Sequence, residues 1–122
     1  MNYERFPREQ PVIATAAHLP TVNMNKTEAA YFSLLEADPE VELVIFEGIK
    51  LRLGHKCFYT PDFLVVLRYP SGRSQIECHE VKGFWRDDAR VKIKAAAAKF
   101  YMLRFVAARL VKGRWEIEEI KP

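Results

Sequence analysis

Residues 58–82, FYTPDFLVVLRYPSGRSQIECHEVK, decide the fold predicted for this chain. Two runs rich in β-branched and aromatic residues, 56–68 and 75–82, flank the turn-forming residues Tyr69–Gly72. Because proline and glycine favour the backbone angles of tight turns, this pattern predicts two antiparallel strands joined as a hairpin. The other predicted helices and strands precede or follow that hairpin in the chain.

The segments outside the hairpin predict two helices and three further strands, from helical apolar spacing and from β-rich runs respectively. Their predicted ranges are a helix over 26–37, a strand over 41–53 with a bend at Gly48, a helix over about 89–103, and a final hairpin of strands 104–111 and 115–120 that turns at Lys112-Gly113. The order α-β-β-β-α-β-β predicts an α/β fold with a mixed sheet, that is, an α+β arrangement. We expect one domain over 26–122, preceded by an irregular N-terminal arm over 1–25.

The composition excludes several classes of protein. The 122 residues are 49% hydrophobic and 29% charged, which is typical of a globular domain and not of a disordered chain. No apolar run approaches the ~18 residues that a membrane span needs, and the first ten residues lack a signal peptide's apolar segment. Cys57 and Cys78 show no CxxC spacing, so neither a zinc knuckle nor a disulfide framework is indicated. We therefore expect a cytoplasmic protein with no membrane partner.

Charge is unevenly distributed along the chain, although the net charge is only +3. Residues 26–81 carry six basic and nine acidic side chains, whereas residues 82–114 carry ten basic and two acidic ones. A basic half of this kind predicts a surface that binds a polyanion such as nucleic acid. The alternative is a solvated helix face with no binding role.

Three charged residues of the central hairpin suggest chemistry. Strand periodicity places Glu80 and Lys82 on the face that also carries Cys78, and the hairpin can bring Asp62 beside Glu80. Two neighbouring carboxylates suit Mg²⁺ or Mn²⁺, and a nearby lysine can stabilise phosphoryl charge. The alternative interpretation of this short pattern is a salt bridge with only a structural role.

The spacing of Pro61-Asp62 and Glu80-x-Lys82 within this element order resembles the PD-(D/E)XK nuclease superfamily. The stretch YTPDFLVV…EVKGFWRDDARVKIKA is most similar to the junction-resolving endonuclease I family of T-odd phages and to related small phage proteins. The similarity covers residues 58–94 and extends more weakly back to about residue 26. It implies a restriction-endonuclease-like αβββαβ core, a magnesium-dependent DNA endonuclease that cuts branched DNA, a homodimer, and the host cytoplasm as location. The alternative is a monomer that nicks duplex or flap DNA.

The same resemblance implies further site residues. Asp62, Glu80 and the Val81 carbonyl would hold a metal ion, with Glu47 and Glu28 assisting. Lys82 would steady the attacking hydroxide. Asn25-x-x-Glu28 also has the spacing of a helix capping box, which is the alternative role of Glu28, and Glu47 has the alternative of a solvated strand position.

The remaining predictions concern the surface and the core. Phosphate contacts are expected from five basic residues of the second helix and last hairpin: Arg86, Arg90, Lys94, Arg109 and Arg114. We expect His79 to be a surface imidazole and Cys78 to fill the core. A catalytically silent nucleic-acid-binding or phage assembly protein that keeps the nuclease fold is the alternative function.

Overall fold

A computed structural model describes residues 24–83 and 87–122 of the chain. It has two helices and seven strands within those ranges, and confirms the predicted mixed α+β fold with its C-terminal hairpin. In chain order the elements are α1 (Lys26–Glu36), β1 (Val41–Phe46), β2 (Leu51–Gly54), β3 (Cys57–Tyr59), β4 (Phe63–Arg68), β5 (Ser74–Lys82), α2 (Asp87–Lys99), β6 (Arg104–Val111) and β7 (Arg114–Ile120). Neither described helix has the length and apolar character needed to cross a membrane.

Five of the strands form one mixed sheet in the order β1-β4-β5-β6-β7. Strands β1, β4 and β5 are antiparallel neighbours, β6 runs parallel to β5, and β7 is antiparallel to β6. A parallel pair needs a crossover connection, and α2 lies within the one between β5 and β6. The strand ends at which β4 begins and at which β5 and β6 end therefore lie on one edge of the sheet.

Each of the two long strands predicted over 41–53 and 56–68 is broken in the structure. Glu47 has a positive φ of 50°, and a Cβ on Gly48 would lie 2.8 Å from the Ile45 side chain. Pro61 has no backbone N–H to donate to a neighbouring strand, so the hydrogen-bonded ladder of the predicted strand 56–68 is interrupted there. As a result β2 and β3 separate from the main sheet and form their own two-stranded hairpin.

The core is divided between the two faces of the main sheet. On the α1 face, Tyr31 and Phe32 pack against Phe63 and Val65. On the α2 face the buried cluster includes Cys78, which confirms its predicted core position. Cys78 and Val81 of β5 belong to opposite clusters, as a period of two requires of positions three apart. Apolar burial on both faces is the main stabilising term for a sheet of this kind.

The second helix is shorter than predicted. It ends at Lys99 and not near residue 103, because the chain turns there, with Leu103 N donating to Phe100 O over 2.9 Å. The turn directs the partly buried side chains of Phe100 and Leu103 into the α2-face cluster and leaves Tyr101 exposed. The helix begins at Asp87, two residues before its predicted start. Residues 1–23 of the predicted N-terminal arm lie outside the described part of the chain.

Candidate metal-binding and catalytic site

Asp62 and Glu80 meet at the edge where β4 begins and β5 ends. The last β4–β5 pair is Phe63 with His79, so one further step of the same register places Asp62 opposite Glu80. Because Pro61 stops the ladder, the next backbone N–H of β5 is bound by a side chain: Val81 N donates to Asp62 Oδ2 over 2.8 Å. The predicted approach of the two carboxylates is confirmed.

Both oxygens of the Glu80 carboxylate are engaged, although the residue is only 6% exposed. The Tyr59 hydroxyl donates to Glu80 Oε1 over 2.8 Å. Lys82 Nζ lies 2.9 Å from Glu80 Oε2. A buried carboxylate with two donors is held in one orientation, which is a property required of a metal ligand or catalytic group.

The electrostatics of the pair reflect its crowding. Burial, followed by the negative charges of Glu80 and Glu28, raises the pKa of Asp62 to about 7, against the opposing effects of the Val81 N–H and Lys82. Burial and the Glu80 carboxylate raise the pKa of the Tyr59 hydroxyl far above its usual range, so this tyrosine remains a donor. Burial lowers the pKa of Lys82, but its contact with Glu80 outweighs that effect and the net shift is upward. A nearby cation would relieve the repulsion between the carboxylates.

Glu28 has the predicted capping role and also lies near the pair. Asn25 N donates to Glu28 Oε1 over 3.0 Å, and Glu28 N donates to Asn25 Oδ1 over 2.7 Å, which completes the capping box. Its charge nevertheless acts on Asp62 and Lys82, since it raises the pKa of both. The start of α1 therefore faces the same edge of the sheet as the carboxylates.

The backbone of Glu47 is hydrogen-bonded to Asp62 at the site. Continuing the β1–β4 register by one step places it opposite Asp62, and Glu47 N donates to Asp62 O over 2.7 Å. Glu47, Asp62 and Glu80 thus form one row across three strands. The Glu47 carboxylate is exposed. Its predicted role as a ligand stays a prediction.

The donor set at this edge fits a hard divalent cation. Asp62 and Glu80 supply carboxylate oxygens. The Val81 carbonyl projects to the Asp62 side of β5, as its N–H does. No group of three His, Cys, Asp or Glu side chains suited to a metal occurs among residues 24–83 and 87–122. Mg²⁺ commonly takes only one or two carboxylates and keeps several waters, so two carboxylates and a carbonyl suffice.

The predicted DNA-binding residues have different surroundings. Arg109 pairs in register with Lys82, on the face of the sheet that carries Glu80. Arg114 begins β7 beside the same edge, and Lys94 is exposed on α2. Arg90 Nη2 lies 2.6 Å from Glu118 Oε2 on β7. Arg86 lies outside the described residues.

The acidic end of the chain neutralises part of the basic half. Arg104 binds Glu119 on β7 over 3.0 Å and Glu77 on β5 over 3.1 Å. Together with the Arg90–Glu118 pair, these contacts place acidic partners beside two of the ten basic residues of 82–114. Counting charge along the sequence therefore overstated the basic surface.

His79 is not a surface imidazole: it is 6% exposed, which contradicts the sequence prediction. Its Nε2 lies 2.8 Å from Glu77 Oε1, and its Nδ1 lies 2.5 Å from the Tyr31 hydroxyl. Burial opposes ionisation of Glu77, but His79 and Arg104 outweigh it and lower the pKa of Glu77. The α1 helix supplies Tyr31 and covers this position, which strand periodicity alone did not reveal. The network lines a pocket of about 450 Å³ on the face opposite Glu80.

Tyr59 is a site residue that the sequence analysis did not single out as functional. The available signal was a tyrosine three residues before Asp62, within the same predicted strand over 56–68. We expect Tyr59→Phe to lower the free energy of unfolding by about 1–3 kcal/mol, because the buried Glu80 carboxylate loses a donor. It should also weaken Mn²⁺ binding by about tenfold, as removal of a residue that orients a ligand does.

Tyr69→Phe is the matched control for this prediction. Its hydroxyl donates to Gln75 Oε1 over 3.0 Å, at the opposite end of the sheet. Urea denaturation without metal and calorimetric titration with Mn²⁺ would compare the two variants. Equal Mn²⁺ affinities for Tyr59→Phe, Tyr69→Phe and the unmodified protein would contradict a role for Tyr59 at the site.

Comparison with known proteins adds no assignment: no protein-family model, no curated protein and no solved structure matches this chain. The functional interpretation therefore depends on the geometry of Asp62, Glu80 and Lys82 and on the motif that contains them.

Proposed function

We propose that this protein is a divalent-metal-dependent DNA endonuclease that hydrolyses phosphodiester bonds. The observation that carries the proposal is that Asp62, Glu80 and Lys82 lie together at one edge of the sheet: Asp62 Oδ2 accepts from Val81 N over 2.8 Å, and Lys82 Nζ lies 2.9 Å from Glu80 Oε2. A structural salt bridge would need Glu80 and Lys82 only. The second carboxylate, that of the half-buried Asp62, adds charge repulsion that a salt bridge does not need, which supports a site where a cation or a reaction uses it.

Each residue of the proposed site has a task that its surroundings support. Asp62 and Glu80, with the Val81 carbonyl, would hold Mg²⁺ or Mn²⁺; when bound, the metal supplies an activated water and polarises the phosphate. Val81 N fixes the Asp62 carboxylate and Tyr59 fixes that of Glu80. Lys82 is 34% exposed, so its ammonium can reach both Glu80 and a phosphate, where it would stabilise the charge that develops in the transition state.

The finer part of the proposal is the PD-(D/E)XK fold and a preference for branched DNA. Support comes from the main sheet: α1, the antiparallel strands β1, β4 and β5, the crossover helix α2 and then β6, parallel to β5, give the order of an αβββαβ core with the β2–β3 hairpin inserted after β1. A role in phage recombination or DNA processing, and assembly as a homodimer, belong to the same proposal and are based on the sequence resemblance.

Arg109 is the predicted phosphate contact best supported by position, because it neighbours Lys82 in register. We expect Arg109→Gln to reduce the log–log slope of DNA affinity against salt by about 0.9, the value for one phosphate contact on duplex DNA. Arg90→Gln should change the slope less, because Glu118 lies 2.6 Å from its guanidinium. Fluorescence anisotropy in Ca²⁺ at several salt concentrations measures both. A larger effect of Arg90→Gln would contradict this assignment of the DNA surface.

Parallel cleavage assays test the proposed function. A four-way junction, a flap and a plain duplex would each be incubated with the protein in Mg²⁺, in Mn²⁺ and in EDTA. Metal-dependent cleavage, strongest on the branched substrates, is the expected result. Binding without cleavage in either metal would favour the catalytically silent binding protein, and neither binding nor cleavage would favour an assembly role.

A further inference from the structure

The β2–β3 hairpin has an inner face and an outer face of different chemistry. Leu51 and Tyr59 face inward and belong to the buried cluster on the α2 face, together with Ile93. The next pair in the register, Arg52 with Phe58, points to the opposite side, and both side chains are exposed. We define the outer face by Lys50, Arg52 and Phe58.

The hairpin is basic, although the half of the chain that contains it has an excess of acidic residues. Residues 49–59 include Lys50, Arg52, Lys56 and His55 and no acidic side chain. All four of these are exposed. Arg52 Nε donates to Gly54 O over 3.2 Å, which directs the guanidinium along the outer face. Summing charge over residues 26–81 concealed this local surface.

An exposed aromatic ring lies among these positive charges. Phe58 is 39% exposed, and Lys50 Nζ lies 4.6 Å from the centroid of its ring. The inner face already supplies the apolar contacts that hold the hairpin, so the ring on the outer face is not needed for the core. Basic side chains interleaved with an aromatic ring are the arrangement that binds single-stranded nucleic acid, through phosphate contacts and base stacking.

The base of the hairpin adjoins the candidate catalytic site. Before β2, Glu47 N donates to Asp62 O over 2.7 Å. At the end of β3, the Tyr59 hydroxyl donates to Glu80 over 2.8 Å. At the far end of the hairpin, Lys99 Nζ of α2 donates to Leu53 O of β2 over 3.4 Å. The hairpin is therefore anchored at both of its ends, and its base lies next to the carboxylates.

We infer that the outer face of the β2–β3 hairpin binds the unpaired strand of a branched DNA substrate beside the catalytic site. Lys50 and Arg52 contact its phosphates, and a base stacks on Phe58. This inference depends on the proposed nuclease function and adds to it a substrate class, DNA with unpaired nucleotides next to the cut. The charge complementarity and the exposed ring carry it.

The test compares DNA affinities of variants on a flap and on a plain duplex, in Ca²⁺. The charge variant is Lys50→Gln with Arg52→Gln; Lys56 is left unchanged because it lies in the turn between β2 and β3 and does not belong to the outer face. Arg73→Gln with Lys121→Gln is the control, which removes two exposed charges from the opposite end of the sheet. Phe58→Leu removes the ring and keeps an apolar side chain, whereas Phe58→Tyr retains a ring.

We expect Lys50→Gln/Arg52→Gln to weaken flap binding by at least about tenfold and to shallow its salt slope by about 1.4, which is two contacts on a single strand. Phe58→Leu should weaken flap binding by about fivefold or more, because stacking on one base contributes about 1–3 kcal/mol. Duplex binding should change little, and Phe58→Tyr and the control should bind normally. Equal losses on flap and duplex, or no loss on the flap, would overturn the inference.

Cys57 offers a readout that needs no substitution. It is the exposed one of the chain's two cysteines, and it lies in β3 beside Phe58, whereas Cys78 is buried with a pKa that burial and Glu77 raise to about 12. A thiol-reactive fluorophore would therefore label Cys57 selectively, and flap DNA should change its emission more than duplex does.

If the unmodified protein neither binds nor cuts any of these substrates, the proposed function itself fails. If the unmodified protein binds and cuts, but the hairpin variants keep its affinity for the flap and neither DNA changes the emission of the label, only the hairpin inference fails.

Discussion

We expect the Asp62→Asn variant to lose DNA cleavage while its metal-free form becomes more stable at neutral pH. The loss should be about 10³-fold or more, because a bound metal contributes several kcal/mol of charge stabilisation and asparagine is a poorer ligand. The gain in stability follows from the crowding of the site. Asparagine can still accept the hydrogen bond from Val81 N, but it removes the negative charge next to Glu80.

The pH dependence of that gain has a definite sign. In the folded protein the pKa of Asp62 is raised from 3.8 to about 7, so between these values the native state binds a proton that the unfolded state does not. The free energy of unfolding therefore falls as the pH rises through this window. The cost of ionised Asp62 is at most roughly 4 kcal/mol above pH 7, and it vanishes below about pH 4. The Asp62→Asn variant should show its advantage at pH 8 and little of it at pH 4.

Thermal unfolding in EDTA at pH 4, 6 and 8 measures this effect, and addition of Mn²⁺ should then stabilise the unmodified protein but not Asp62→Asn. Asp38→Asn is the matched control, because Asp38 Oδ1 also accepts from a backbone N–H, that of Glu40 at 2.9 Å, in an exposed position. A variant that cleaves DNA normally would remove Asp62 from the mechanism. A variant that is less stable at pH 8 would contradict the repulsion between the carboxylates.

The second large effect is expected for Lys82→Met, which should slow cleavage by about 100-fold or more while the dissociation constant for DNA stays almost unchanged. Stabilisation of developing charge by one preorganised donor contributes about 3–4 kcal/mol to catalysis. One phosphate contact among many contributes much less to affinity. Methionine keeps the length of the chain but cannot replace the ammonium that lies 2.9 Å from Glu80.

Single-turnover cleavage at saturating DNA separates rate from binding for this variant. Lys94→Gln provides the contrast: it removes an exposed charge from α2, so any effect should be on affinity and salt dependence and not on rate. Equal losses of rate and affinity in Lys82→Met would make Lys82 an ordinary phosphate contact.

Local signals were sufficient for much of the fold. The turn residues between β4 and β5 predicted that hairpin, and Gly72 there has a φ of 91°, as its position in the turn requires. Lys112 and Gly113 likewise form the predicted turn with positive φ values. Because a hairpin with a known turn has a nearly fixed register, the approach of Asp62 to Glu80 could also be predicted.

The surroundings of individual side chains could be predicted less well from the sequence. Alternation assigns His79 to a face of β5, but only the packing of α1 on that face buries it against Tyr31. The charge of residues 82–114 could be counted, but the sequence did not indicate that Glu118 and Glu119 on β7 would pair with Arg90 and Arg104. Such contacts join residues far apart in the chain, and no local preference encodes them.

The sequence by itself determined the element types, the turns and the approach of Asp62 to Glu80 near the end of β5, because turn chemistry and a period of two act over a few residues. Only the tertiary structure decided that the strands predicted over 41–53 and 56–68 break at Glu47 and Pro61, so that β2 and β3 turn onto α2 and Tyr59 reaches Glu80. That bend buries Leu51 and Tyr59 against Ile93, and apolar burial between distant segments is a property of the assembled core.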